Sequence, residues 1–263
     1  MSDLWIANRT PVGRVYPAEQ PPGPDAAEFA RRWLGFEPDT QQAEVLRSTS
    51  RQAILNCTRQ WGKSTVGAAK AVHRAYTLAG CLVLVASPGE RQSREFLRKA
   101  AGMLHTLGIP VRGDGDNAIS LLLPNGSRIV GLPGTEGTVR GFSAVSMMLI
   151  DEASRVEDAM YKALRPMLAV SDGDLWLMST PYGKRGFFYD VWAYATDWEK
   201  HSVKAVDCPR IRREFLERER GALGPAWFAQ EYLCEFTESG SGVFDRDAVE
   251  RALDHSVPAL VVA

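Results

Sequence analysis

Short apolar runs, each followed by a longer stretch with apolar residues at helical spacing, set the rhythm of the middle of the chain. Residues 52–57 (QAILNC) and 81–86 (CLVLVA) read as buried strands, with helical segments over roughly 63–79 and 89–107 behind them. Two further runs, 118–123 and 127–132, meet at Pro124-Asn125-Gly126. Asn-Gly between apolar runs is the strongest short-range hairpin signal. A strand at 145–151 (VSMMLID), a helix near 155–166 and a strand at 174–179 (DLWLMS) follow, then helices near 211–221 and 225–234. Near the start, Asp25 caps a short helix reaching Leu34. Repeated strands with helical crossovers predict an α/β fold, a three-layer α/β/α sandwich with a mostly parallel sheet, whose ligand sits at the carboxyl ends of the strands. No internal repeat is visible.

The flanks depart from this rhythm. Residues 1–24 carry Pro11, Pro17, Pro21, Pro22 and Pro24 and little periodic hydrophobicity, so they read as an extended arm. Residues 25–236 form the predicted domain, with a small helical lid over roughly 205–236. Residues 237–263 begin with the flexible "TESGSG", form a short helix near 246–253 and finish inside the apolar run "VPALVVA". The expectation is a linker toward a second domain that this chain lacks, with a buried terminal strand as the alternative.

Composition narrows the class. A chain of 263 residues with 45% hydrophobic content can bury a full core. Its 31 basic and 32 acidic side chains leave a net charge of -1, so any nucleic-acid contact has to be local. Lys184, Arg185, Arg210, Arg212 and Arg213 are the candidates for phosphate contacts. The four cysteines form no CxxC pair and lack histidine partners at metal spacing, which predicts free thiols in a reducing compartment and no zinc site. No membrane-spanning run and no signal-peptide core is present, so the expected location is intracellular.

The chemistry concentrates in a few stretches. "CTRQWGKST", 57–65, follows a predicted strand and opens a predicted helix, the context in which Gly-Lys-Ser forms a phosphate loop. Thr58, Arg59, Gln60, Trp61 and Gly62 would wrap the phosphates, Lys63 would reach the terminal oxygens, and Ser64, followed by Thr65, would hold Mg²⁺. Cys57 replaces the usual first glycine, which a small side chain tolerates at negative φ. The bland alternative is a solvent-facing lysine in an ordinary turn. In "MMLIDEA", 147–153, a strand delivers Asp151 to the sheet edge as a second Mg²⁺ ligand, and Glu152 follows at the position suited to polarise an attacking water. The competing reading is a helix N-terminus favouring negative charge. "LMSTPYG", 177–183, ends a strand in Ser179 and Thr180, hydroxyls able to sense a terminal phosphate, or else part of a Pro-terminated turn. Gln42, in "LGFEPDTQQAEVL", has an amide suited to an adenine edge, though such a glutamine is as often a surface residue. Arg59 and Arg140, the latter in "GTVRGF", are candidates for stabilising charge on a transferred phosphoryl group, or plain surface ion pairs.

Taken together, "FEPDTQQAEVL", "CTRQWGKST", "SPGERQSREF", "TVRGFSA", "MMLIDEA", "LMSTPYGKRGFFY" and "WFAQEYLCEF" resemble the large terminase subunit of tailed bacteriophages, the ATP-driven motor that packages DNA into capsids. The resemblance spans roughly residues 34–244. It implies a P-loop NTPase of the ASCE type with ATP and Mg²⁺ as cofactors. It makes Gln42 the adenine-side residue, Lys63 and Ser64 the phosphate and Mg²⁺ ligands, and Asp151 and Glu152 the metal-side and catalytic carboxylates. Ser179 and Thr180 become the coupling motif, and Arg140 the arginine offered to a neighbouring subunit. The family assembles on the portal protein as a ring, commonly pentameric, works with a small terminase subunit, and translocates double-stranded DNA in the host cytoplasm. Its RNase H-like nuclease domain would lie beyond this chain, so nuclease activity is not expected here. Thr40-Gln41 stands where the family often has Pro-Trp, while Cys57 lies within family variation. A helicase-like DNA-dependent ATPase, a small-molecule kinase and a nucleotide-binding scaffold that does not turn ATP over are the other readings.

Overall fold

The computed structural model describes residues 25–133 and 141–237. The arm at 1–24, the terminal segment 238–263 with its expected short helix, and Arg140 lie outside the described residues.

The described residues build one seven-stranded sheet in the order β3-β4-β2-β5-β6-β1-β7. The strands are β1 (Gln52–Cys57), β2 (Leu82–Ser87), β3 (Ser120–Leu122), β4 (Arg128–Pro133), β5 (Met147–Asp151), β6 (Asp174–Ser179) and β7 (Glu199–Val203). Every pairing is parallel except β3 with β4, the hairpin that Asn125-Gly126 closes. Gly126 takes a left-handed φ of 81°, as such a turn requires.

Why the sheet is covered on both faces is written in strand alternation. In β1, Ala53, Leu55 and Cys57 join one core and Ile54 the other; in β5, Met147 and Leu149 face the first, Met148 and Ile150 the second. Trp176 and Met178 of β6 again face the first, with Leu175 and Leu177 on the opposite side. A period of two that is apolar on both faces demands a helical layer on each. The first layer contains α1 (Ala26–Trp33), α2 (Thr40–Arg47), α3 (Lys63–Thr77) and α4 (Glu90–Thr106). The second contains α5 (Asp158–Leu164) and α6 (Gly186–Tyr194). A third, smaller cluster of Ala205, Leu216 and Phe228 holds α7 (Arg213–Leu223) and α8 (Pro225–Leu233) together. These two helices occupy the region expected to be a lid.

Differences from the sequence reading are local. The single helix expected near 155–166 is broken into a 3-10 turn at Ala153–Arg155, α5, and a second 3-10 turn at Arg165–Leu168 that contains Pro166. Proline denies the helix an N–H and crowds the preceding turn. Three elements had no sequence expectation: α2, α6 and β7. Strand β7 (EKHSV) is polar along an edge and pairs with β1 alone, so it lacks the apolar run that marks the interior strands.

The connection into β6 is tight. A Cβ on Gly173 would run into the carbonyl oxygen of Val145, the residue leading toward β5. Gly173→Ala therefore has to push apart two neighbouring strand entries, and overpacking of this kind costs roughly 1–3 kcal/mol. Urea denaturation should show a lowered midpoint of that size, and an unchanged midpoint would mean that the approach relaxes freely.

Candidate phosphate-binding site

Strand β1 carries the chain to Cys57 at the carboxyl edge of the sheet, and α3 starts at Lys63. The intervening turn bends through Gln60 (φ 64°) and Gly62 (φ 101°). Gly62 has a double reason to be glycine, since a Cβ there would also meet Gln42 Nε2 at 2.9 Å. Cys57 lies outside the left-handed region, which is why a side chain is tolerated at a position that usually has none. Burial pushes its thiol up to about 12, so it is chemically quiet despite its place. Helix α3 has no side-chain cap at its N-terminus. The Thr65 N–H already bonds the Gly62 carbonyl at 2.9 Å, so the N–H groups of Lys63 and Ser64 are the first-turn donors left for an anion, with the positive end of the helix dipole behind them.

In front of that turn lies a cavity of about 480 Å³. Arg59, Gln60, Gly62, Lys63, Ser64 and Thr65 line it from the loop and α3, and Glu152 and Arg155 from beyond β5. Pro88, Gln92 and Lys99 close the far side. Lys63 is buried, and its ammonium donates to the carbonyls of Cys57 (2.9 Å) and Thr58 (3.1 Å) and to Thr180 Oγ1 (2.9 Å). Thr180 in turn donates to the Cys57 carbonyl at 3.0 Å. Ser64 donates its hydroxyl to Asp151 Oδ2 at 2.8 Å.

The two acidic residues after β5 differ sharply. Asp151 is buried, and burial, with the neighbouring Glu152 charge adding to it, pushes its carboxyl up to about 6 against the opposing pull of Ser64 and Lys63. Glu152 has a left-handed backbone (φ 53°, ψ 40°), which turns the chain and leaves its carboxylate in the cavity, 3.6 Å from Arg155 Nη1. A non-glycine residue held there stores strain, a common property of functional positions. Ser64 and Asp151 offer one hydroxyl and one carboxylate in contact, a hard-oxygen pair that suits Mg²⁺, which completes its shell with water and ligand phosphate. Among the described residues there is no cluster of three or more His, Cys, Asp or Glu able to cage a metal unaided.

Not every residue expected from sequence faces the cavity. Gln42 is buried and committed: its Oε1 accepts from the Asp39 N–H at 3.1 Å in a helix capping box, and its Nε2 donates to the Trp61 carbonyl at 2.7 Å. The Trp61 indole is fully buried in the first core rather than lining the cavity. Thr58 gives its hydroxyl to the Glu231 carbonyl at 2.9 Å. Ser179 pairs with Ser154 at 2.7 Å, and neither lines the cavity. Arg210, a candidate for phosphate contacts, is 43% exposed while it donates to the Trp61 carbonyl at 2.6 Å and pairs with Asp39 at 2.9 Å. Pro88, Gln92, Lys99 and Arg155 were not anticipated. Pro88 and Gln92 fall within "SPGERQSREF", and Lys99 follows Gln92 by seven residues on the same face of α4, so helical spacing was the available signal.

Comparison with known proteins bears on this arrangement. The profile of the family described as terminase large subunit, T4likevirus-type, N-terminal, matches residues 54–251. The terminase large subunit of Thermus phage G20c is 24% identical over 251 residues, covering 80% of this chain and 51% of that protein. That of Thermus virus P23-45 aligns to the same extent. The chain thus spans about half the length of the curated relatives it matches. Among solved structures, the large terminase ATPase domain of Thermus phage P74-26 superposes with a TM-score of 0.71 at 22% identity, covering 80% of this chain and 98% of that one. The large terminase of another thermophilic bacteriophage, in complex with ATP-gamma-S, gives 0.62 at 16% identity, with 75% and 52% covered. The shared fold is a P-loop NTPase-like α/β sandwich.

The geometry of Lys63 yields a direct expectation. Its ammonium stands at the start of α3, where an anion would meet the loop, and a charge-assisted hydrogen bond contributes ~1.5–3 kcal/mol. Lys63→Ala should weaken ADP binding about tenfold or more by calorimetric titration. Equal affinity in the two proteins would remove Lys63 from the phosphate site.

Proposed function

The chain belongs to the family of T4-like-virus-type terminase large subunits, as an N-terminal domain, and we propose that it binds and hydrolyses ATP to drive double-stranded DNA into a procapsid. The observation that carries this reading is the hydrogen bond to buried Asp151 from Ser64, which lines one cavity together with Lys63 and Glu152. A phosphate site alone would serve a kinase or a passive nucleotide-binding scaffold. A second carboxylate, turned into the cavity beside a metal-suited pair, is the addition that hydrolysis requires.

In this reading the loop N–H groups, the start of α3 and Lys63 bind the phosphates. Ser64 and Asp151 would hold Mg²⁺, which supplies charge neutralisation at the phosphate oxygens when bound. Glu152 orients a water and accepts its proton as the oxygen attacks phosphorus. Arg59 offsets charge on the phosphoryl group from within its own loop. Thr180, hydrogen-bonded to Lys63, passes the state of the site to β6. The reading brings with it a ring of such subunits on a portal protein, commonly of five, a small terminase subunit as partner, and action in the host cytoplasm. No helix among the described residues is long and apolar enough to cross a membrane.

Glu152→Gln keeps the shape of the side chain and removes its basicity. Turnover should fall by roughly 10²–10⁴, the usual contribution of a general base, while ATP-gamma-S affinity changes little. Phosphate release at the wild-type rate would strip Glu152 of its role.

Arg140 is proposed to act on the neighbouring subunit. An arginine supplied from outside is worth about 10³–10⁵ in rate, so hydrolysis by the dilute chain should be slow and rise with assembly. Mixed Arg140→Ala and Glu152→Gln subunits should recover hydrolysis that neither shows alone, because each supplies what the other lacks. A mixture as inactive as its parents, under conditions where wild type assembles and turns over, would confine Arg140 to its own subunit.

A further inference from the structure

Glu231, in the last turn of α8, is a buried carboxylate that the reading above leaves without a task. Its side chain is 7% exposed and lies behind the cavity, with Oε2 2.6 Å from Arg59 Nε and Oε1 3.9 Å from Arg155 Nη2. Despite the short contact to Arg59, neither oxygen receives an aligned hydrogen bond. Charge alone holds the group. Both arginines line the cavity, and Arg155 is further shared with Glu152 at 3.6 Å. Each cation thus lines the cavity while also pairing with Glu231, which does not line it.

The same turn of α8 is stitched to the catalytic edge of the sheet through its backbone. The Glu231 carbonyl accepts from Thr58 Oγ1 at 2.9 Å, and the Cys234 carbonyl from Asn56 Nδ2 at 2.9 Å. Beside them, Gln230 Oε1 accepts from the Gly183 N–H at 3.1 Å. Whatever moves Glu231 therefore acts on a segment in direct contact with β1, the phosphate loop and the turn after β6.

Guanidinium groups bind phosphate oxygens strongly and with matched geometry. A polyphosphate in the cavity would draw Arg59 and Arg155 toward itself, and a buried carboxylate stripped of its cations is strongly disfavoured. Resting on the reading of the cavity as an ATP site, we propose that Glu231 is a positioning residue that competes with the nucleotide phosphates for Arg59 and Arg155, so that filling the cavity loosens the last turn of α8. Linkage makes this reciprocal: a seated Glu231 weakens nucleotide binding by the same factor with which nucleotide unseats it. The terminal phosphate carries most of the competition, so ATP and its analogues are affected more than ADP.

Calorimetric titration of ATP-gamma-S and ADP into wild type, Glu231→Gln, Arg59→Ala and the double variant tests the competition. Glu231→Gln should bind ATP-gamma-S roughly fivefold tighter or more, the lower range of measured coupling between sites. The gain should be smaller for ADP and shrink in the Arg59→Ala background. A merely structural glutamate would give weaker binding in both backgrounds. Hydrogen exchange on wild type supplies a reading that needs no variant: the amides of residues 230–233 should lose protection when ATP-gamma-S saturates the site. Unchanged protection there, or Glu231→Gln affinity equal to or below wild type, overturns the proposal while leaving the ATP site intact. Wild type that binds neither nucleotide overturns the ATP-site reading and this proposal together.

Discussion

A buried lysine ammonium needs acceptors on every side, and Lys63 finds them in two carbonyls of its own loop and the hydroxyl of Thr180. That requirement ties three pieces of chain that are distant in sequence: the end of β1, the start of α3 and the end of β6. Leaving the charge without any of them would cost far more than the net value of one hydrogen bond, because an unpaired polar group in a dry site keeps its full desolvation penalty. The loop is therefore held in one shape by its own hydrogen bonds. Gly62 makes the arrangement possible by taking the backbone through a left-handed turn in a space that Gln42 has already filled.

Sheet order turns this local knot into a site. Because β6 lies between β1 and β5, the residue that bonds to Lys63 and the carboxylate that meets Ser64 arrive from adjacent strands. Their register, with Asp151 opposite Met178, puts the end of β5 one residue short of Ser179 and two short of Thr180. All three strands run the same way, so all three deliver their chemistry to a single edge, as open parallel sheets do. One strand, β6, thus stands between the strand that leads into the loop and the strand that ends in the acidic pair.

The sheet was legible because its central strands are short, apolar on both faces and bounded by turn signals. QAILNC and DLWLMS could be little else. Edge strand β7 was not, since EKHSV is held by backbone pairing with β1 and carries almost no apolar signature. The loop and the acidic pair were equally plain, as each comes directly at the end of a predicted strand. What the sequence left hidden was the commitment of each polar group. Gln42 reads as an adenine ligand when only its amide is considered, yet its two ends are taken by a capping box and by the Trp61 carbonyl. Arg210 reads as a surface cation, and while exposed it is also engaged by Asp39 and the same carbonyl. Such assignments depend on which partner lies nearest in three dimensions, and composition carries no record of that.

Asp151 and Glu152 show how the fold places two neighbouring carboxylates in different environments. Adjacent residues in an extended strand would point to opposite faces, and one of them would be lost in the second core. The chain avoids this by leaving the strand at Asp151 and bending through a left-handed residue at Glu152, so that both side chains stay at the carboxyl edge. Burial then raises the proton affinity of Asp151, which keeps its charge costly until a cation or the Ser64 hydroxyl offsets it. Glu152, half-buried and paired loosely with Arg155, keeps its carboxylate free to face a ligand. Pairs of carboxylates held in contrasting environments are how a site assigns separate electrostatic and proton-accepting duties. Here one strained peptide does the separating, which makes the backbone at position 152 as much a part of the site as the side chain it carries.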